Sequence, residues 1–181
     1  MERTTSKIIS TRGLCYTGLG VAVTCVLAQV HFPLFGVPLT MQTFAVMLIG
    51  IILGAKKAAA AMVIYLMLGA AGMPVFTGFG GGVARVVGPW GGFIMSFPAM
   101  ALIIGYAAMR TKTWLVAGIV AGVIVNLSCG MLWFAFVSDV GMRYAFAVAF
   151  LPFVAPEAIK AILAISIGVP VRRGLIKSGA L

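Results

Sequence analysis

The sequence is a succession of apolar runs, parted only by short breaks that carry glycine, proline or basic residues. A surface helix in water keeps one face polar, so runs that are apolar all round have lipid or protein on every side. Hydrophobic residues fill 62% of the 181 positions and charged residues 9%, which is more apolar surface than a soluble domain of this size hides. The solvent is therefore lipid. At roughly 20 residues per crossing there is room for about six spans and no separate soluble domain. The expected fold is all-α: a single domain over residues 1–181, a bundle of six transmembrane helices.

The breaks place these spans at residues 14–30, 40–54, 58–71, 91–109, 114–137 and 144–169. Thr40 is the expected N-cap of the second. A segment punctuated by Pro33 and Pro38 joins spans one and two, and a long Gly-rich connection, residues 75–90, joins spans three and four. Proline lacks a backbone donor and its predecessor avoids the helical region, so the continuous final helix is expected to start at Pro156. The basic residues before the first run imitate a secretory signal, but the many apolar runs after it make this an uncleaved first helix.

Charge orients the bundle, because cytoplasmic loops carry the excess of Lys and Arg. With the N-terminus inside, Arg3, Lys7, Arg12, Lys56, Lys57, Arg110, Lys112, Arg172, Arg173 and Lys177 all fall inside, and both termini are cytoplasmic. Arg85 and Arg143 fall in outer connections and Lys160 within a span. The net charge of +10 thus lies in breaks rather than a stripe, which is a topology signal and not a nucleic-acid surface. Cys15, Cys25 and Cys129 are odd in number and lack ligand spacing, so neither a disulfide framework nor a metal site is expected.

Small residues recur at helical spacing as Gly18 with Ala22, Gly50 with Gly54 and Gly118 with Gly122. Such pairs let helix backbones approach closely in lipid. They serve packing within the bundle or, for Gly18 and Ala22, contact with a partner membrane protein.

The three acids are Glu2, Asp139 and Glu157, and only Glu157 lies inside a span. Lys160 follows three residues on, which puts both on one helix face. Charges in a span are costly unless they pair or serve a site. The two form a self-contained ion pair, or Lys160 reaches for the interface, or together they clamp a polar ligand group. If the helix begins at Pro156, the helix dipole favours Glu157 in its first turn. The Gly-rich connection offers close backbone approach at Gly80, apolar walls from Phe79, Trp90 and Phe93, and a cation in Arg85. It reads either as a lid or as a flexible loop. Gln42 is a polar amide near the outer mouth of span two, and His31 reads as interfacial. No phosphate-binding Gly-x-x-x-x-Gly-Lys-Ser/Thr motif occurs, so ATP energy would come from another subunit. No second carboxylate or well-placed His joins Glu157, which argues against a catalytic site and an enzyme.

Four stretches together carry a family likeness: Val37-Pro38-Leu39-Thr40-Met41-Gln42-Thr43, Gly72-Met73-Pro74-Val75-Phe76 with its Gly-rich continuation, Gly88-Pro89-Trp90-Gly91-Gly92-Phe93, and the closing Pro156-Glu157 with Lys160. Over nearly the whole chain, in order, the sequence resembles the BioY family, the biotin-specific substrate-binding (S) subunits of energy-coupling-factor (ECF) transporters. The resemblance implies a plasma-membrane protein of prokaryotes that captures biotin from outside. It implies as partners a transmembrane coupling subunit and two ATPase subunits, toward which the S subunit tips in the membrane. It places Gly18 and Ala22 against the coupling subunit, and Glu157 and Lys160, an Asp and a Lys in most members, against the ligand. Biotin's ureido ring has two N–H donors and one carbonyl, so a carboxylate receives the former and an ammonium serves the latter. Phe79, Trp90 and Phe93 would suit the apolar remainder. Arg85, from its placement, is the candidate for the ligand carboxylate. The chain departs from the family pattern at Gly80 (Asn in some members), Trp90 (Thr), Phe93 (Tyr), Ile94 (Arg in some), Pro156 (Gly) and Glu157 (Asp). A related carboxylated molecule, lipoate or a biotin precursor, is the alternative ligand.

Overall fold

The computed structural model describes residues 11–34 and 37–179. Glu2, Arg3 and Lys7 lie outside the described residues, as do Phe35 and Gly36 of the proline-punctuated segment. Among the described residues the chain forms α1 (Thr11–Ala28), a hairpin of β1 (His31–Leu34) and β2 (Val37–Thr40), α2 (Gln42–Leu53), α3 (Ala55–Ala70), a 3-10 turn at Thr77–Phe79, α4 (Val83–Val87), α5 (Gly91–Met95), α6 (Phe97–Ala107), α7 (Lys112–Val137), α8 (Met142–Ala149) and α9 (Leu151–Lys177).

Helix α2 is the centre. It is buried over most of its circumference, from Gln42 through Ile51, and packs against α1, α3, α6 and α9. Glycines set the close approaches. A β-carbon on Gly50 would meet Ile104 Cγ2 at 3.1 Å, and one on Gly118 would collide with Ala107. These two pairs therefore serve packing inside the bundle. Gly18 is exposed, with nothing among the described residues within 4 Å of an added β-carbon, and Ala22 is exposed beside it. At the far end of α2 the guanidinium of Arg172 donates to the carbonyls of Ile51 and Ile52, both at 3.0 Å, filling orphan acceptors of the helix terminus. At the same end a β-carbon added to Gly54 would lie 3.6 Å from Arg172 Nη1. Arg12, at the start of α1, donates to Gly179 O at 3.3 Å just beyond α9, which brings the two ends of the described chain together.

Several sequence expectations change. The segment before α2 pairs β1 antiparallel with β2, Pro33 opposite Pro38, a local addition to an otherwise helical fold whose all-α class stands. Thr40 belongs to β2 and the N-cap of α2 is Met41. Lys56 and Lys57 lie in the first turn of α3 rather than ahead of it. The fourth span divides at Ser96 into α5 and α6. The last helix begins at Leu151, not Pro156: the break falls at Phe150 (φ −124°, ψ −62°), and Pro156 sits inside α9. Pro152 occupies the first turn, where a missing donor costs little. By length and composition three helical stretches suffice to cross a membrane, Thr11–Ala28, Lys112–Val137 and Met142–Lys177, while Gln42–Leu53 and Gly91–Ala107 are shorter apolar helices.

The Gly-rich connection is folded. Gln29 at the end of α1 straps it, donating to Phe76 O at 3.1 Å and accepting from the Phe79 backbone N–H at 2.8 Å. Gly82 N–H donates to Gly69 O at 2.7 Å. A flexible loop is not what these bonds describe.

Candidate functional site

A cavity of about 220 Å³ opens at the end of the bundle opposite Arg172. Its floor is Gln42 and Thr43 at the start of α2, with Glu157 and Lys160 from α9 and Asn126 from α7. Trp90, Phe93 and Phe153 make apolar walls, and Arg85 of α4 stands at the lining with Ala84.

Glu157 and Lys160 are buried, 3% and 5% exposed. Lys160 Nζ lies 2.7 Å from Glu157 Oε1 and donates to Thr43 Oγ1 at 2.9 Å, while the Thr43 hydroxyl donates to the same Glu157 Oε1 at 2.7 Å. Neither charge reaches for solvent. The ammonium has three donors, two of them used here, and Glu157 Oε2 has no hydrogen-bond partner among the described residues. The cluster thus leaves one acceptor and one donor unspent beside the cavity. Glu157 stands in the second turn of α9, beyond the reach of the helix dipole; Thr43 and Lys160 do the stabilising that the first-turn expectation assigned to the dipole.

Gln42 is fixed by its neighbours. Its Nε2 donates to Tyr65 Oη at 2.6 Å, and its Oε1 accepts from Thr40 and Thr77 at 3.1 and 3.2 Å. Tyr65 passes the chain on to Val75 O at 3.0 Å. This network ties α2, α3 and the Gly-rich connection into one rim.

The aromatic walls are braced from behind. Trp90 stacks on Phe134 with centroids 4.8 Å apart, and Phe93 packs on Phe153 at 5.9 Å. Gly91 must be glycine, since a β-carbon there would collide with the Val86 carbonyl.

Two expected residues fall elsewhere. Phe79 is 72% exposed and absent from the lining; its backbone is held at φ +55° by the Gln29 strap, which turns the ring outward. Gly80 also lies off the lining, because its open side faces the Arg85 side chain, whose Nε would be 2.9 Å from an added β-carbon. His31 is exposed and its Nδ1 is 2.9 Å from Gln29 O. Thr43, Asn126 and Phe153 went unread in the sequence. The signal for Asn126 was available: it is the sole asparagine, set in the middle of an apolar run, where polar groups are costly without a purpose.

The BioY family model matches residues 1–177. The "Probable biotin transporter BioY" of Pyrococcus horikoshii is 41% identical over 149 residues, covering 82% of this chain and 89% of that protein. The "Biotin transporter BioY2" of Lactococcus lactis is 36% identical over 165 residues, covering 90% and 91%. A crystal structure of the S-component for biotin from an ECF-type ABC transporter superposes with a TM-score of 0.81 at 25% identity, covering 95% of each chain. A match that runs the length of the chain, over a cavity built from the residues that carried the likeness, settles the assignment: the chain belongs to the BioY family.

Proposed function

We propose that this chain is the biotin-capturing S component of an ECF-type uptake transporter, a binding and transport subunit and not an enzyme. The observation that carries the reading is the half-used ion pair. Glu157 Oε2 and the spare N–H of Lys160 sit beside a small, aromatic-walled cavity, which suits a compact ring bearing an N–H donor and a carbonyl acceptor. Trp90, Phe93 and Phe153 cover the ring's apolar faces, Gln42 holds the rim, and Arg85 at the lining takes the carboxylate at the end of the ligand's tail.

The chain crosses the plasma membrane six times as a single domain, with both termini in the cytoplasm. The contact of Arg12 with Gly179 and the placing of Lys57 and Arg172 at that same end favour this topology, since basic residues gather on the inner side. The cavity then faces outward. Energy comes from two ATPase subunits through a transmembrane coupling subunit, which meets the exposed Gly18 and Ala22 on α1.

Titration calorimetry on the detergent-purified chain tests the ligand. Biotin should bind, and a precursor that keeps the ureido ring should bind too. Lipoate, whose dithiolane has no N–H, would leave Glu157 Oε2 unanswered and should fail. Affinity for lipoate without affinity for biotin would overturn the assignment.

A further inference from the structure

Asn126 is fully buried in the middle of α7. Its Nδ2 donates to Phe93 O at 2.9 Å and to Ser96 Oγ at 2.7 Å, while the Ser96 hydroxyl donates to the same Phe93 O at 2.9 Å. This ring of three fixes the amide's sense. Turned over, Asn126 would point its own oxygen at the Phe93 carbonyl, acceptor against acceptor. Both N–H groups are therefore spent, and Oδ1 has no partner among the described residues. Buried acceptors in folded chains are answered by a donor, and Asn126 lines the same cavity as Glu157 and Lys160.

If the ligand is biotin, as proposed above, its chemistry supplies that donor. In a five-membered cyclic urea the two N–H bonds diverge, one on each side of the carbonyl, so one carboxylate oxygen meets one of them. Glu157 Oε1 already accepts from Thr43 and Lys160, which leaves Oε2 for a single N–H. The expectation that one carboxylate receives both donors does not survive this geometry. We propose that Asn126 Oδ1 accepts the second N–H, so that the head group is held by Glu157 on one side, Asn126 on the other and Lys160 at the carbonyl. Asn126 is then a specificity-determining residue. It selects cyclic ureas with both nitrogens unsubstituted and rejects rings that carry a donor on one side only.

The two mono-N-methyl isomers of biotin test this by titration calorimetry on the full chain. Against the wild type both should bind more weakly than biotin, each having lost one donor. Asn126→Ala should weaken biotin by about tenfold or more, in the range of one hydrogen bond to a buried group. In that variant one isomer, methylated on the Asn126 side, should lose nothing further, while the other falls by the same factor as biotin. A uniform loss for all three ligands, or no loss for biotin, would overturn the proposal, because a packing role does not distinguish the isomers. Ser96→Ala, which frees the amide to turn, should give the same isomer-selective loss at smaller amplitude. It decides the matter if Asn126→Ala fails to fold, and equal treatment of the isomers there counts against the proposal. A wild-type chain that ignores biotin would remove the functional reading as well, whereas binding without isomer selectivity removes this inference alone.

Discussion

Thr43 donates its hydroxyl to Glu157 Oε1 at 2.7 Å, joining positions 114 residues apart in the chain. It also accepts from Lys160, so a pair that a helix face alone would bring together becomes a three-way cluster spanning α2 and α9. The division of the carboxylate follows from this contact. One oxygen is held by the fold, and the other is left for the cavity. The cluster therefore forms only when the first turn of α2 packs on α9, so the packing of these two helices sets the geometry of the site.

Glu157→Gln and Lys160→Met should each weaken biotin binding by roughly 2 kcal/mol or more, because each leaves a buried polar group of the complex without its partner. Their stabilities should differ. Lys160→Met strands a buried carboxylate, at a cost of about 3–5 kcal/mol, while Glu157→Gln with Lys160→Met removes both charges. The double variant should melt above Lys160→Met alone in detergent. A double variant that melts lower would mean that the pair does not function as a unit.

Thr43→Val keeps the shape and removes the hydroxyl. Glu157 and Lys160 retain their direct 2.7 Å contact, so stability should fall by only about 1 kcal/mol. Binding should fall as well, since Oε1 and Nζ each lose a partner and the free oxygen loses its fixed direction. Calorimetry showing unchanged affinity with a lowered melting point would confine Thr43 to the fold.

Much of the architecture was legible because lipid is a strict solvent: apolar runs had to be helices, and basic breaks had to end them. What escaped notice depended on distant partners. No local signal shows that residues 31–34 and 37–40 pair antiparallel, since proline at both Pro33 and Pro38 argues against a ladder. Pro156 reads as a helix start until Phe150 is seen to carry the break. Glu157 and Lys160 stood out because charge in a span is conspicuous. Asn126 is uncharged, and Thr43 passes as an ordinary helix residue, so their roles emerge only when α5 is packed on α7 and α2 on α9. Phe79 reads as an apolar wall from its place in the Gly-rich connection, but the strap from Gln29 turns it away.

Gly130 on α7 lies against the Phe93 ring, and a β-carbon there would collide with it. Gly130→Ala should push the ring toward the cavity, at a cost of about 1–3 kcal/mol in packing, and weaken biotin. Pairing it with Phe93→Leu should recover part of the loss, as residues in contact are not additive. Additive losses on calorimetry would argue that Phe93 does not transmit the change.

Arg85 is exposed, and while its backbone N–H donates to Gly82 O at 3.1 Å, its guanidinium has no hydrogen-bond partner among the described residues. A guanidinium so placed attracts a carboxylate, and salt screens that attraction. Arg85→Ala should weaken biotin several-fold, about 1 kcal/mol as for an exposed ion pair, and leave its methyl ester unaffected. The wild-type preference for the acid over the ester should shrink as salt is raised. An equal loss for acid and ester would place Arg85 in the lid rather than on the carboxylate.

A substitution on the outer face of α1 would test binding and delivery separately. Cys15, Gly18, Leu19, Ala22 and Val26 are exposed along it, while Thr17, Gly20, Val21 and Thr24 face the core. Among the described residues nothing lies within 4 Å of an added β-carbon at Gly18, so Gly18→Leu should fold, and the cavity at the opposite end of α2 should bind biotin as before. If small residues here allow a helix of the coupling subunit to approach closely, the leucine holds that helix off. Biotin uptake by cells expressing the variant with the coupling and ATPase subunits should then be lost, although calorimetry on the isolated chain is unchanged. Uptake at the wild-type rate would mean that this face meets lipid and that the coupling subunit docks elsewhere.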